Sequence, residues 1–268
     1  MAKPLLPDHL WELIAPLLPP HPPHPKGGHP FLDDRKALIG ILFVLKTGIP
    51  WEYLPQEMGC GSGMTCWRRL RAWTRAGVWQ AIHQILLEHL RFLRRIDFRR
   101  FLIDSTHYRA VGGGAQTGPS PVDRRKLGSK MHLITDGQGV PLTFQQTAAN
   151  RNDTELTLPL VDQVPPMAGQ VGRPRRRPER LQGDRGYDDE GDREELRRRG
   201  IEPVLGKRRT GHGSGLGVFR WFIERTISWF KQCRRLRVRY ERTPDLYEGF
   251  WYLAMILICH RIAFPRLW

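Results

Sequence analysis

The sequence has few cysteines and no long apolar run, and both absences limit what the protein can be. Its four cysteines form no CxxC pair and have no zinc-finger spacing, so we expect free thiols. The longest apolar run, 250–259, is about half of the roughly 20 residues that a membrane-spanning helix needs. Pro4 and Pro7 interrupt the segment where a signal peptide would be apolar and helical. These features predict a soluble, cytoplasmic protein with no membrane partner.

Acidic residues are scarce relative to basic ones. The 268 residues include 43 Lys and Arg against 27 Asp and Glu, a formal net charge of +16. Such an excess predicts a polyanionic partner, with nucleic acid as the first expectation and an anionic membrane surface or a ribosomal position as alternatives. Nine tryptophans and 40% apolar residues favour a globular protein with its own core. The sequence contains no GxxxxGK[ST] loop, so we expect no nucleotide cofactor.

The first 95 residues have helical periodicity and predict a small all-helical domain. Helices are expected at 8–18, 33–47, 65–76 and 78–93, with a loop at 21–25 and a glycine-rich break at 59–63. The third helix carries four arginines: Arg68, Arg69, Arg71 and Arg75. Such a series fits a solvated helix face, and it also fits a helix that enters a DNA groove. We expect a domain boundary that separates 1–95 from 96–268.

The remaining chain alternates between strand-like and helix-like segments. Its predicted strands are a short apolar run 101–103 that ends at Asp104, a hairpin of 130–135 and 140–147, a strand near Leu181 and another at 201–205. The predicted helices are 154–164, a charged helix that Asp188 caps and that ends at Arg199, a long one from about Val218 that follows a glycine-rich loop, and 245–262. Strands followed by interleaved helices predict an α/β or α+β fold with a mixed sheet.

Three acids stand where an ionised side chain is hard to explain. Asp104 follows an apolar strand, Asp184 lies between glycines in the segment 182–187, and Glu224 lies within an aromatic-rich helix. Carboxylates brought together repel one another unless a divalent cation neutralises them, and oxygen ligands suit Mg²⁺, with Mn²⁺ as a substitute. Each acid alone also fits a structural role, as a turn residue for Asp104 and Asp184 and as an ion-paired helix acid for Glu224.

Several cations accompany these acids and could hold DNA phosphates near a pair of metal ions. Besides the four arginines of the third helix, the predicted DNA-contacting residues are Lys130, Arg185, Arg220, Arg225 and Lys231. At about 100° per residue, Arg220, Glu224 and Lys231 share one polar face of their helix.

These residues resemble the transposases of the insertion-sequence-five family. In that family the glutamate lies in the pattern Tyr, two residues, Arg, three residues, Glu, six residues, Lys. Arg220, Glu224 and Lys231 match at those intervals, and Gly217 stands at the tyrosine position. The segments 103–107, 118–130, 149–153 and 183–188 resemble the family's other catalytic-domain motifs, and 47–55 with 67–73 resembles its N-terminal helical domain.

The resemblance implies an RNase H-like fold in which Asp104, Asp184 and Glu224 form a DDE triad that binds two Mg²⁺ ions. It implies binding to the terminal inverted repeats of an insertion sequence, metal-dependent nicking of double-stranded DNA, and joining of the 3′ ends to target DNA by a homo-oligomer. Three other functions stay open: an RNase H-like nuclease without strand transfer, a catalytically inactive DNA-binding protein derived from a transposase, and a basic structural or RNA-binding protein.

Overall fold

A mixed sheet forms the centre of the protein in a computed structural model that describes residues 4–21, 31–209 and 217–267. Its strands are β1 (Arg100–Ala110), β2 (Gly118–Pro119), β3 (Leu127–Asp136), β4 (Pro141–Ala148), β5 (Arg180–Gly183), β6 (Glu202–Leu205) and β7 (Val238–Arg239). The two-residue strands β2 and β7 were not predicted, because two residues are too few to show a period.

The five longer strands lie in the order β4-β3-β1-β5-β6. β3 is antiparallel to β1 and to β4, whereas β5 is parallel to both β1 and β6. An antiparallel meander of three strands extended by two parallel strands is the arrangement of the RNase H-like fold. The predicted fold class is therefore confirmed.

Within the described residues, eight α-helices flank the sheet or precede it in the chain. They are α1 (Asp8–Ile14), α2 (Asp34–Thr47), α3 (Gly63–Arg75), α4 (Val78–Phe92), α5 (Thr157–Gln163), α6 (Glu190–Arg198), α7 (Gly217–Lys231) and α8 (Pro244–Ala263). Side chains cap the starts of two predicted helices, since Asp33 accepts from Lys36 N of α2 at 2.9 Å and Ser62 accepts from Thr65 N of α3 at 3.2 Å.

α8 is buried on all sides and joins the N-terminal helices to the sheet. It packs against α3, α4, α7 and β4, and the buried apolar side chains form one continuous core. A Cβ on Gly249 would lie 2.4 Å from Thr74 Oγ1, so a glycine there lets α8 approach α3 closely. The longest apolar run of the sequence, 250–259, thus belongs to a core helix. In the part of the chain that the structure describes, no helix has both the length and the apolar character to span a bilayer.

The position of Asp104 differs from the prediction, because Asp104 lies within β1 and not at its end. β1 continues to Ala110 since β3 pairs with it as far as Arg109, opposite Gly128. The parallel partner β5 pairs only as far as Leu102. Beyond Leu102, no strand among the described residues pairs with this edge of β1 until β7 pairs with Arg109. The helix α7 also packs against β1.

The predicted cap of the charged helix was also one residue off. Asp189 caps α6 by accepting from Asp192 N at 2.9 Å, whereas Asp188 accepts from Arg193 Nη2 and from Arg208 N, both at 2.7 Å. The predicted proline-rich loop at 21–25, apart from His21, and most of the predicted glycine-rich loop before α7 lie outside the described residues.

Candidate active site

The three predicted acids come from three different elements. Asp104 lies on β1, Asp184 directly follows β5, and Glu224 lies on α7. Gly183 ends β5 where a Cβ would lie 2.8 Å from Ile103 Cγ2, so its lack of a side chain lets this end of β5 approach β1. Asp184 is thereby held next to the strand that carries Asp104.

Arg220 connects two of the acids. Its Nη2 lies 3.7 Å from Asp184 Oδ2 and 3.5 Å from Glu224 Oε1. All three side chains are partly exposed, so these pairs contribute little to stability. Arg220 was predicted to contact DNA, and in this structure it is the counter-ion of the acids.

Asp104 is the most deeply placed of the three. Burial raises the pKa of its carboxyl group to about 6. The hydrogen bond from Ser105 N to Asp104 Oδ1, 2.8 Å long, lowers this pKa, the charges of Asp184 and Glu224 raise it, and that of Arg220 lowers it. The structure therefore places Asp104, Asp184 and Glu224 within electrostatic range of one another.

The chemistry of this site fits a divalent cation. Its donors are carboxylate oxygens, and a bound cation would offset the burial that raises the pKa of Asp104 and the charges of Asp184 and Glu224 that raise it further. Among the residues described, no three His, Cys, Asp or Glu side chains lie close enough together to hold an ion. Binding an ion therefore requires Asp184 and Glu224 to turn away from Arg220. Asp104, Asp184 and Glu224 are the residues that would hold it.

A polar cluster of Lys130, His132 and Asp153 lies next to the Asp184 segment, and no role of this kind was predicted for its members. Asp153 Oδ1 accepts from Lys130 Nζ at 3.1 Å and lies 3.4 Å from His132 Nδ1. Asp153 Oδ2 would lie 3.2 Å from a Cβ on Gly186, whose N–H donates to Asp184 Oδ1 at 2.8 Å. The cluster thus packs against the turn that positions Asp184. The sequence signals for it were the family-like segments 118–130 and 149–153, which contain Lys130 and Asp153.

Lys130 does not fit its predicted contact with DNA phosphate. The residue is 4% exposed, and its ammonium also donates to Arg151 O at 2.8 Å. A charge this deep needs a partner inside the protein, and Asp153 is that partner.

Arg225 also has partners within the protein. Its guanidinium lies over the rings of Trp221 and Trp229, at 4.7 and 4.6 Å from their centroids, and donates to Gln138 O at 2.6 Å. It thus ties α7 to the β3–β4 turn. Arg185 and Lys231 are exposed, at the side of Asp184 and at the end of α7 respectively.

The four arginines of α3 differ in their surroundings. Arg69 Nε lies 3.5 Å from Asp34 Oδ1, and Arg71 and Arg75 lie 3.9 and 2.9 Å from Asp245 Oδ2. Arg68 is exposed and is the member of the four that pairs with no carboxylate within the described residues. Arg68 is thus the arginine of this helix that is best placed to contact a ligand.

Comparisons with known proteins found two family models that match the chain. A family model described as "Putative transposase of IS4/5 family" matches residues 6–83, and one described as "Transposase DDE domain" matches 96–259. The "Putative transposase for insertion sequence element IS402" of Burkholderia cepacia is 51% identical over 161 residues, which are 60% of this chain and 74% of the relative.

Two further similarities concern a shorter relative and a solved structure. A 16.2 kDa uncharacterized protein of insertion element IS402 from Burkholderia cepacia is 55% identical over 123 residues, 45% of this chain and 84% of that protein. The crystal structure of the Mos1 strand transfer complex aligns over 92% of this chain and 79% of that chain, with 11% identity and a TM-score of 0.39.

The DDE-domain match covers more than half of the chain and includes all three acids of the site. Membership of this family implies that the enzyme acts on DNA and depends on a divalent metal ion. The chain belongs to the DDE transposases of the IS4/5 type.

Proposed function

We propose that this transposase binds the terminal inverted repeats of its insertion sequence, nicks double-stranded DNA at the element's ends and joins the freed 3′ ends to target DNA. The observation that carries the proposal is the shared electrostatic environment of Asp104, Asp184 and Glu224, three acids from β1, β5 and α7. These acids would hold Mg²⁺, with Mn²⁺ as a substitute. When bound, the metal activates the attacking oxygen and stabilises the leaving oxygen of a phosphodiester.

Neither of the two steps needs a nucleotide, because the bonds that form and break balance without one. In nicking, the oxygen of water bonds to phosphorus while the bond from phosphorus to the 3′ oxygen breaks, and that oxygen leaves with a proton. In joining, the freed 3′-hydroxyl oxygen bonds to a target phosphorus, the bond from that phosphorus to a target 3′ oxygen breaks, and that oxygen leaves with the proton that the hydroxyl gives up. Arg220 lies between the acids, so it would turn to a DNA phosphate once they bind metal. Arg185, next to Asp184, would contact the same strand.

The assembly and its place in the cell follow from the same proposal. Two element ends must be held together for joining, so the chain would act as a homo-oligomer when it is bound to DNA ends. It would work in the bacterial cytoplasm, at the nucleoid when DNA is bound.

The test is cleavage and strand transfer by the full chain on labelled DNA that carries the element's own ends. We expect nicked and joined products with Mg²⁺ or Mn²⁺, and none with a chelator. Nicked products without joined ones would identify a nuclease. End binding without any cleavage would identify an inactive DNA-binding protein.

A second prediction concerns the recognition of element ends by α3. Met64, Arg68, Ala72 and Arg75 form the exposed face of this helix, and Arg68 lies at its middle. Removing an arginine that reads a base costs about 1–3 kcal/mol, so Arg68→Ala should lower the preference for end DNA over random DNA by on the order of 10-fold or more. Arg68→Ala with Arg71→Ala should abolish that preference. Competition binding measures it.

Arg198→Ala is the matched control for this prediction. Arg198 is an exposed helical arginine on α6 that pairs with Glu195, and its removal changes the net charge by the same amount. It should weaken binding to both DNAs equally or not at all. An unchanged preference in the α3 variants would contradict a groove-facing role for this helix.

A further inference from the structure

Two adjoining cavities open along β1 on the side beyond Asp104. Their volumes are about 210 and 220 Å³, and they share three lining residues, His107, Tyr108 and Arg237. The first is also lined by Thr106, Lys231, Leu236 and Trp251, and the second by Arg109, Ser120, Val122 and Asp123. We call the two together the β1 cleft.

The β1 cleft has an excess of positive charge. Lys231, Arg237 and Arg109 line it, against the single carboxylate of Asp123, which lies 3.2 Å from Arg109 Nε. Arg237 Nε donates to Lys231 O at 2.7 Å, which anchors this guanidinium at the end of α7. His107 Nδ1 is buried and has no hydrogen-bond partner among the described residues. The cleft therefore offers cationic donors to an anion.

Two elements place the cleft at a similar distance from the acids. Thr106 and His107 are two and three residues beyond Asp104 on β1, which corresponds to about 7 and 10 Å. Lys231 is seven residues beyond Glu224 on α7, which corresponds to about 10 Å along the helix axis. One strand of duplex DNA carries a phosphate about every 3.4 Å of helix axis. Successive phosphates of one strand lie farther apart than this axial rise, because the backbone also winds around the axis. A strand whose scissile phosphate lies at the acids thus brings a phosphate one or two positions away to the cleft.

We propose that the β1 cleft binds a DNA backbone phosphate one or two nucleotides from the scissile phosphate, with Arg237 as its main donor. Charge-assisted bonds from a guanidinium fork suit a phosphate, and contacts of this kind set the register of a strand without reading its sequence. The cleft would hold the strand so that the correct phosphodiester reaches Asp104, Asp184 and Glu224. This inference rests on the proposed function.

The test uses end DNA in which one phosphate at a time is replaced by a neutral methylphosphonate. Binding is measured in a chelator, so the result does not depend on catalysis. With the unaltered protein, neutralising a phosphate one or two positions from the cleavage site should weaken binding on the order of 10-fold. Arg237→Ala should weaken binding to unmodified DNA by a similar factor and lose the further effect at that position. It should also reduce the salt dependence of binding by about one phosphate contact.

Arg234→Ala is the matched control, because Arg234 is exposed in the same turn and lines neither cavity. It should keep the position-dependent loss of the unaltered protein. If Arg237→Ala also keeps that loss, or if no position one or two nucleotides from the cleavage site matters, the inference is overturned. A protein with the expected binding pattern but without Mg²⁺-dependent cleavage would contradict the proposed function and leave the phosphate site standing.

Discussion

Asp104→Asn should abolish metal-dependent DNA cleavage and at the same time make the folded protein more stable. The amide keeps an oxygen for the hydrogen bond from Ser105 N but is a poor metal ligand. We expect the cleavage rate to fall by on the order of 10³-fold or more. Asp184→Asn and Glu224→Gln should lower the cleavage rate by a similar factor, because the three acids act as a unit and the loss of any one disables the site. Gel assays of end cleavage measure the rates.

The gain in stability follows from the pKa of Asp104, which burial raises to about 6. Above pH 6 the folded protein must hold a desolvated carboxylate, and a neutral amide removes that cost. The gain is fully present above pH 6, decreases as the pH falls and is absent below the unfolded pKa of 3.8. One pKa unit corresponds to about 1.4 kcal/mol, so a gain of about 1 kcal/mol or more is expected at pH 7.5 in a chelator.

Asp136→Asn is the matched control for burial. Burial raises the pKa of Asp136 to about 6 as well, but Asp136 lies at the end of β3, opposite Phe101, and accepts from the N–H groups of Asp97, Gln138 and Val140. Its amide variant should retain cleavage below its melting temperature. Unchanged cleavage by Asp104→Asn, or equal loss in Asp136→Asn, would contradict the assigned site.

Glu241→Ala should lower the free energy of unfolding by about 3–5 kcal/mol, because it removes one partner of a buried ion pair. Arg235 and Glu241 have side chains that are only 6% and 2% exposed. Arg235 Nε and Nη2 donate to Glu241 Oε1 at 2.9 and 2.7 Å, and Arg235 Nη1 donates to Ile49 O at 2.9 Å. The variant leaves the Arg235 guanidinium buried without an anion, in the turn after α7 and close to the end of α2. Chemical denaturation measures the loss.

An exposed ion pair serves as the comparison for this prediction. Arg180 Nε lies 2.6 Å from Glu202 Oε2, and both side chains are about half exposed. Glu202→Ala should therefore change the free energy of unfolding by less than about 1 kcal/mol. Similar losses in the two variants would show that burial of the Arg235–Glu241 pair has no special effect.

The local pattern of the sequence predicted most helices and the longer strands, because hydrophobic periodicity and capping residues act within one element. It predicted α2 and α8 to within one residue at each end. The continuation of β1 past Asp104 depends on pairing with β3, whose register a short apolar run does not contain. The family resemblance implied the RNase H-like fold, whereas periodicity contains no information on the order of the five strands.

The site was predicted unevenly for the same physical reason. Each acid lay in an unusual local setting, so a search along the chain singled it out. The partner of a cation is set by the tertiary fold. Lys130 of β3 pairs with Asp153 of the loop after β4, and Arg69 lies close to Asp34 of another helix. The β1 cleft was missed because its residues come from β1, the loop after β2 and the end of α7.

The packing of α8 has a consequence for the DNA that the enzyme can use. Because α8 contacts both α3 and the sheet, a DNA segment that α3 held would lie at a fixed distance from Asp104. α8 is about 30 Å long and would help to set that distance. Adding base pairs between the recognised sequence and the cleavage point would move the cut by the same number of base pairs, or prevent it.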